Sequence, residues 1–167
     1  MILTGDEITK EVNKKNIIIS PFHIEQVNPN SYNYRINDEL IEFTLENEQK
    51  FEKKIKIPKT GIILEPHKTY LASTLETLGS NKYAMSLIGR SSLGRLGLFL
   101  QVSANLGHTG SSHKWTLELV ATKKIKIYPF MIIGQISFWT NKGDIKLYKN
   151  SYSDFNFPRI SKMEHAK

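Results

Sequence analysis

Trp115-Thr116-Leu117-Glu118-Leu119-Val120 is the stretch on which the fold turns. Its strict alternation puts Trp115, Leu117 and Leu119 on one face of an extended segment and Thr116, Glu118 and Val120 on the other. The same grammar spreads outward from it. Downstream lie Ile125 to Tyr128, Ile132 to Trp139 and Ile145 to Tyr148, with Gly134 placed for a bulge or a close backbone contact. Upstream lie Leu98 to Val102, Tyr70 to Leu78, Ile62 to Leu64, Lys54 to Ile57, Tyr32 to Ile36 and the β-branched triplet Ile17-Ile18-Ile19. Short strands recurring about every ten residues predict an all-β sandwich or barrel. Two segments break the pattern. Thr4 and Glu7 form a capping-box pair ahead of Ile8 and Val12, which predicts a short opening helix. Ser86 to Gly97, with Leu87, Leu93 and Leu96, predicts one short internal helix.

The chain has 167 residues, 40% of them hydrophobic and 23% charged, enough for one core and too apolar for a disordered chain. No apolar run approaches the roughly 18 residues of a membrane span. The opening MILTGDEITKEV has acidic residues where a secretory signal needs basic ones, so a cytoplasmic location is expected. There is no cysteine, which excludes disulfides, thiolate zinc sites and cysteine nucleophiles. The formal charge is +7, but Lys-Lys pairs at 14–15, 53–54 and 123–124 are scattered, with no block of five or more. A nucleic-acid partner is therefore not expected. A polyanionic small molecule such as a nucleotide fits the charge.

The segment Leu87-Ile88-Gly89-Arg90-Ser91-Ser92-Leu93-Gly94-Arg95-Leu96-Gly97-Leu98 offers close backbone approach, two hydroxyls and two guanidinium forks. These suit phosphate, although a glycine-rich turn with surface arginines would read the same way. The Gly-Lys-Ser/Thr ending of a Walker loop is missing. Glu118 shares its face with Thr116 and Val120. In such a place a carboxylate is a candidate acid or base, or simply a glutamate on a solvated sheet face. Gln135 is either a ligand contact or a satisfied polar residue, the second being commoner. His108 and His113 stand five apart in a Gly/Ser-rich loop, a pattern commoner for solvated histidines than for a metal site, and no metal ligands are assigned. Beyond residue 150 the periodicity stops. Tyr152, Phe155 and Phe157 make this tail either a disordered terminus or an apolar segment that packs on a neighbouring subunit.

Taken in order, these segments resemble the dCTP deaminase branch of the dUTPase superfamily along nearly the whole chain. The carriers are MILTGDEI at the start, Ile19-Ser20-Pro21-Phe22, Gln26 to Tyr32, the GRSSLGRLGL run, and TLEL followed by IIGQISF. The resemblance implies a distorted jelly-roll β-barrel over residues 1–150, with a C-terminal tail, 151–167, that closes over nucleotide. It implies a homotrimer with active sites between subunits. It also implies hydrolytic deamination at C4 of cytosine in dCTP, giving dUTP and ammonia. The family uses no zinc, and magnesium rides on the nucleotide phosphates. Glu118 matches the catalytic glutamate that takes a proton from water and passes protons to N3 and the leaving amine. Ser91 and Arg95 match phosphate-side and catalytic-centre residues. Ser103 and Ala104 match the turn that holds the water by hydroxyl and carbonyl. Arg90, Ser92, Gln101, Val102, His108, Trp115, Gln135, Tyr152 and Phe155 are the candidate substrate contacts.

Several positions depart from the family pattern. Leu106 stands for an arginine, His108 for an aspartate beside the sugar and base, Asn33 for an aspartate in the segment from Ser31 to Arg35, and Phe155 for a phosphate-gripping glutamine. Fewer polar grips predict weaker selection of triphosphate over mono- and diphosphate. Two alternatives stand beside the deaminase. A dUTPase-like diphosphatase fits less well, because His108 replaces an acid that would activate water. A non-catalytic nucleotide-binding regulatory module would explain Leu106 and Phe155 but not the retained Glu118, Ser91 and Arg95.

Overall fold

The computed structural model describes residues 1–46, 49–101, 104–149 and 156–158, with the side chains of 44–46 and 49–51 left aside. Helix α1 (Gly5–Asn13) starts where the capping box predicts. Thr4 is the N-cap, and its Oγ1 accepts the Glu7 N–H at 3.4 Å. Strands β1 (Ile17–Ser20), β2 (Val27–Asn28), β3 (Ser31–Glu46), β4 (Gln49–Lys56), β5 (Ile62–Leu64), β6 (Thr69–Thr74), β7 (Thr77–Ser80) and β8 (Tyr83–Gly89) follow. Then come α2 (Ser91–Gly94), β9 (Leu98–Leu100), β10 (Leu106–Gly107), β11 (Ser112–His113), β12 (Thr116–Ala121), β13 (Ile125–Ile127) and β14 (Ile132–Thr140). A single 3₁₀ turn, Ile24–Gln26, precedes β2. The fold is all-β with few helices.

The largest sheet runs β10-β8-β14-β3-β6-β12-β9, with β2 and β4 also pairing with β3. Two smaller sheets, β1-β7-β11 and β13-β5, complete the strands of the described residues. Strand β3 is the hinge of the large sheet. Its first half pairs with β14 and its second with β4 and β6, across a register shift between Ile36 and Leu40. Tyr32, Tyr34 and Ile36 all point inward from it and are fully buried, as their alternation predicts. Gly134 is needed opposite them. A Cβ there would land inside the Tyr34 ring, and β14 shifts register between Ile132 and Gly134 to let the ring in. The Tyr34 hydroxyl then donates to the Ile88 carbonyl at 3.1 Å.

Four sequence expectations are corrected. The predicted helix over Ser86 to Gly97 shrinks to Ser91–Gly94, and Leu87 belongs to β8. Alternation of Tyr83, Met85 and Leu87, paired along β14, outweighs the leucine spacing that imitates a helix. Tyr70 to Leu78 is two strands, β6 and β7. The chain breaks where buried Glu76 accepts Arg35 Nε at 2.7 Å and Arg35 N at 2.9 Å. Lys54 to Lys56 is the end of a longer strand, β4, which pairs antiparallel with the second half of β3, Glu39 to Glu46, and Ile57 lies just beyond it. Ile145 to Tyr148 is not a strand: Ile145 and Leu147 are exposed, and this segment lies as an irregular strap against residues 109–110.

Candidate functional site

Strand β12 carries the candidate acid–base residue. Leu117 and Leu119 are fully buried beneath it, and Glu118 is half-buried on the opposite face between Thr116 and exposed Val120. The backbone of Glu118 is fixed from one side by Leu71 of β6 and from the other by Gln101. Gln101 sits just past β9 with φ +51°, a left-handed conformation that few side chains adopt. Its amide oxygen accepts the Glu118 N–H at 2.8 Å, and its amide nitrogen donates to the Ala104 carbonyl at 3.3 Å. One buried amide thus ties the Glu118 backbone to that of Ala104. Each carbonyl oxygen has two lone pairs, so that of Ala104 can accept a second hydrogen bond. Ser103 and Val102 lie outside the described residues.

Helix α2 borders the same face. Arg90 is its N-cap and Arg95 its C-cap, with the Arg95 N–H on the Ser91 carbonyl at 3.0 Å. The four-residue spacing sets Ser91 and Arg95 on one side. Ser91, Ser92 and Arg95 are exposed, whereas Arg90 is half-buried. Leu93 anchors the turn against the core, and Gly94 lies against the Phe99 ring. Phe99 pairs with Val120, two residues along the strand from Glu118. The register therefore places the serine–arginine segment and the glutamate on one outward face.

The remaining candidates divide by what they touch. Trp115 is a buttress: its N–H donates to Thr74 Oγ1 at 2.9 Å, and its indole N–H to the Leu78 carbonyl at 2.9 Å. Its ring stacks on His113 with centroids 4.3 Å apart and packs against Gly107. Gln135 accepts the Ser31 hydroxyl at 2.8 Å, within a network that includes Asn28 and Asn33. His108 is exposed and stacks on Tyr148 at 5.1 Å. The two histidines therefore serve different stacks. Among the described residues, no three His, Cys, Asp or Glu side chains gather as a metal site would require. Tyr152 and Phe155 lie outside the described residues.

The bracing role of Gln101 and the strap that carries Tyr148 escaped sequence reading. The first depends on an unusual backbone angle and the second on a contact between positions about 40 apart. Neither leaves a local pattern. Arg35 and Glu76 were equally hidden: a buried ion pair at the break between β6 and β7 looks in sequence like two surface charges.

Comparison with known proteins gives the class first. The crystal structure of 2'-deoxycytidine 5'-triphosphate deaminase from Agrobacterium tumefaciens shares the fold, with a TM-score of 0.70 over 84% of this chain. At 18% identity that likeness concerns the fold alone, and this chain spans about half (48%) of that one. The sequence is more specific. The family model described as dCTP deaminase-like matches residues 2–141. A protein of Clostridium beijerinckii named "dCTP deaminase, dUMP-forming" is 44% identical over 156 residues, covering 90% of this chain and 88% of its own. A Leptospira biflexa protein of the same name is 39% identical over 154 residues, with 90% and 88% covered. The chain belongs to the dCTP deaminase-like family.

Proposed function

We propose that this protein is a hydrolase that deaminates dCTP, acting on the C4–N bond of the cytosine amidine. Water adds to C4 as Glu118 takes its first proton and passes it to N3; Glu118 then takes the second proton from the new C4 hydroxyl and passes it to the amine, the C4–N bond breaks, the C4 carbonyl forms and ammonia leaves. The observation that carries the reading is the shared brace at Gln101: one side chain ties the backbone of Glu118 to that of Ala104. Such preorganisation is what a fixed water and its base require. Arg95 and Ser91 grip phosphate, with Arg90 and Ser92 beside them, and magnesium arrives with the triphosphate as part of the substrate. Residues 1–150 form the catalytic barrel, and the tail from 151 to 167 closes it. We assign a homotrimer as the working form, consistent with exposed Leu106, Leu96 and Phe99 near the site segments, and the cytoplasm as its location.

A second step is favoured by the relatives' name. "dUMP-forming" describes proteins 39–44% identical to this chain. The same site would then hydrolyse the α–β phosphate link of the bound uracil nucleotide and release diphosphate. The test of the first step is Glu118→Gln. It keeps the shape but cannot carry protons, so ammonia release should fall by about 10²–10⁴-fold with dCTP affinity nearly unchanged. Near wild-type turnover in that variant would remove Glu118 from the mechanism.

A further inference from the structure

Tyr34, Gly134 and Gly89 stand in line across three neighbouring strands, β3, β14 and β8. The Tyr34 ring crosses the middle strand where Gly134 has no side chain, and its hydroxyl donates to the Ile88 carbonyl of β8 at 3.1 Å. The ring is fully buried. A phenylalanine would fill the same space with no buried hydroxyl to satisfy, so the bond to Ile88 is what a tyrosine adds. Burial pushes the phenol pKa up, and the hydroxyl stays a donor at any working pH. Ile88 lies two residues before Arg90 and three before Ser91, where β8 leaves the sheet for α2. Strand β10 pairs with β8 only at Met85 and Ser86, and the Leu87 N–H reaches the Asn105 carbonyl. Among the described residues, only β14 pairs with Ile88 and Gly89. Helix α2 has four residues, too few to hold itself in water, so its placement depends on its anchors. Leu93 packs on the core beneath it. Beyond it, Thr122 gives its N–H and its hydroxyl to the Gly97 carbonyl at 2.9 and 3.3 Å. The Tyr34 hydroxyl is the anchor on the approach side.

We propose that Tyr34 is a positioning residue for phosphate: its hydroxyl fixes the end of β8 from which α2 starts, and so sets Ser91 and Arg95 in the orientation that receives the nucleotide's phosphates. This rests on the nucleotide site proposed above. The path from the hydroxyl to α2 is short. Arg90 follows Gly89, and the Arg90 carbonyl accepts the Leu93 and Gly94 N–H groups at 3.0 and 2.9 Å, so a shift of the strand end passes to α2 through backbone bonds. A guanidinium fork on a fixed turn loses less freedom on binding than one on a wandering turn, and the gain appears in affinity. Tyr34 is itself part of the core, so it acts through α2 and not by contact with substrate.

The test compares the full-length chain with its Tyr34→Phe variant. The readouts are ammonia release from dCTP, binding of inorganic tripolyphosphate by calorimetry, and amide exchange in α2 by NMR. Tyr34→Phe should raise KM for dCTP and Kd for tripolyphosphate about three- to tenfold, the range of one lost neutral hydrogen bond, and leave kcat within about twofold. In a Ser91→Ala/Arg95→Ala background, the same substitution should leave KM for dCTP unchanged. The Leu93, Gly94 and Arg95 amides should exchange several-fold faster, beyond any change at Ile8 of α1, which reports the stability of the frame as a whole. Unchanged affinities, an undiminished effect without Ser91 and Arg95, or an α2 that exchanges no faster relative to α1 would each overturn the proposal. A wild-type chain that binds tripolyphosphate but releases no ammonia from dCTP refutes the deaminase reading alone, and the tripolyphosphate and exchange comparisons then decide the role of Tyr34. A wild-type chain that binds neither dCTP nor tripolyphosphate overturns both.

Discussion

Glu11 and Glu118 are both glutamates on regular secondary structure, and the fold buries them to different depths. Glu11, on α1, is buried and collects four donors: Lys14 at 3.1 Å, Asn16 at 2.9 Å, Lys82 at 2.9 Å and Tyr83 at 2.7 Å. Its hydrogen bonds, that from Lys82 foremost, draw its pKa down to about 2. The helix is thereby tied to the start of β8. Glu118 is half-buried on an outward face, and Gln101 fixes its backbone. The contrast extends to the arginines: Arg35 is committed to buried Glu76, whereas Arg95 stands exposed at the end of α2. Charges that hold this fold together are enclosed by their partners. Those assigned to chemistry lie nearer the surface, Glu118 half-buried and Arg95 exposed.

Substitutions can break this division, and the largest effect is expected in the interior. Gly134→Ala would drive a methyl into the Tyr34 ring and should cost about 3 kcal/mol or abolish folding, read by denaturant unfolding. A variant as stable as wild type would mean that the β14 bulge is not required. Next, on the outward face, Arg95→Ala should lower kcat/KM for dCTP about ten- to hundredfold, the equivalent of a lost charge-assisted contact, with little change in thermal stability. Arg90→Ala should do less, and the reverse ranking would contradict the phosphate assignment.

Glu11→Gln should cost about 1–2 kcal/mol of stability and leave turnover untouched. Because folding depresses the Glu11 pKa, its contribution is fully present above the unfolded value of about 4.5 and is lost as pH falls toward about 2. Thermal unfolding of wild type and Glu11→Gln should therefore differ at pH 6 and converge between pH 5 and 2. A constant gap across that window would show that the carboxylate's charge is not what stabilises the helix. The smallest effect is expected at Phe155. Phe155→Gln should raise the ratio of kcat/KM for dCTP over dCMP by only a few-fold. A wild type already strongly selective, and unchanged by the substitution, would make the departure at this position neutral.

The sequence disclosed what depends on local pattern. Alternation placed Tyr32, Tyr34 and Ile36 inward and Glu118 outward, and Thr4 with Glu7 marked the start of α1. It failed where a distant partner decides. Leu87, Leu93 and Leu96 are spaced like a helix face, yet β14 claims Leu87 for a sheet. Glu76, in the break between β6 and β7, is buried against Arg35 of β3, a partner 41 residues away in sequence. The charged alternation of Glu39 to Lys56 hides a hairpin, since neither strand carries a clean apolar face. Ile145 to Tyr148 alternates like a strand but pairs with none among the described residues, its Tyr148 N–H bonding the Thr109 carbonyl instead. In the site, the glutamate was visible and its brace was not, because nothing in the sequence around Gln101 announces a positive φ.

Deamination by this chain is tested most simply by incubating the purified protein with dCTP, dCMP and dUTP in the presence of magnesium, with ammonia and diphosphate measured separately. Saturable ammonia release from dCTP is expected, accompanied by diphosphate if the second step also occurs at this site. Absence of ammonia from both cytosine nucleotides, with Glu118 intact and the fold verified, would overturn the assignment of this site as a deaminase.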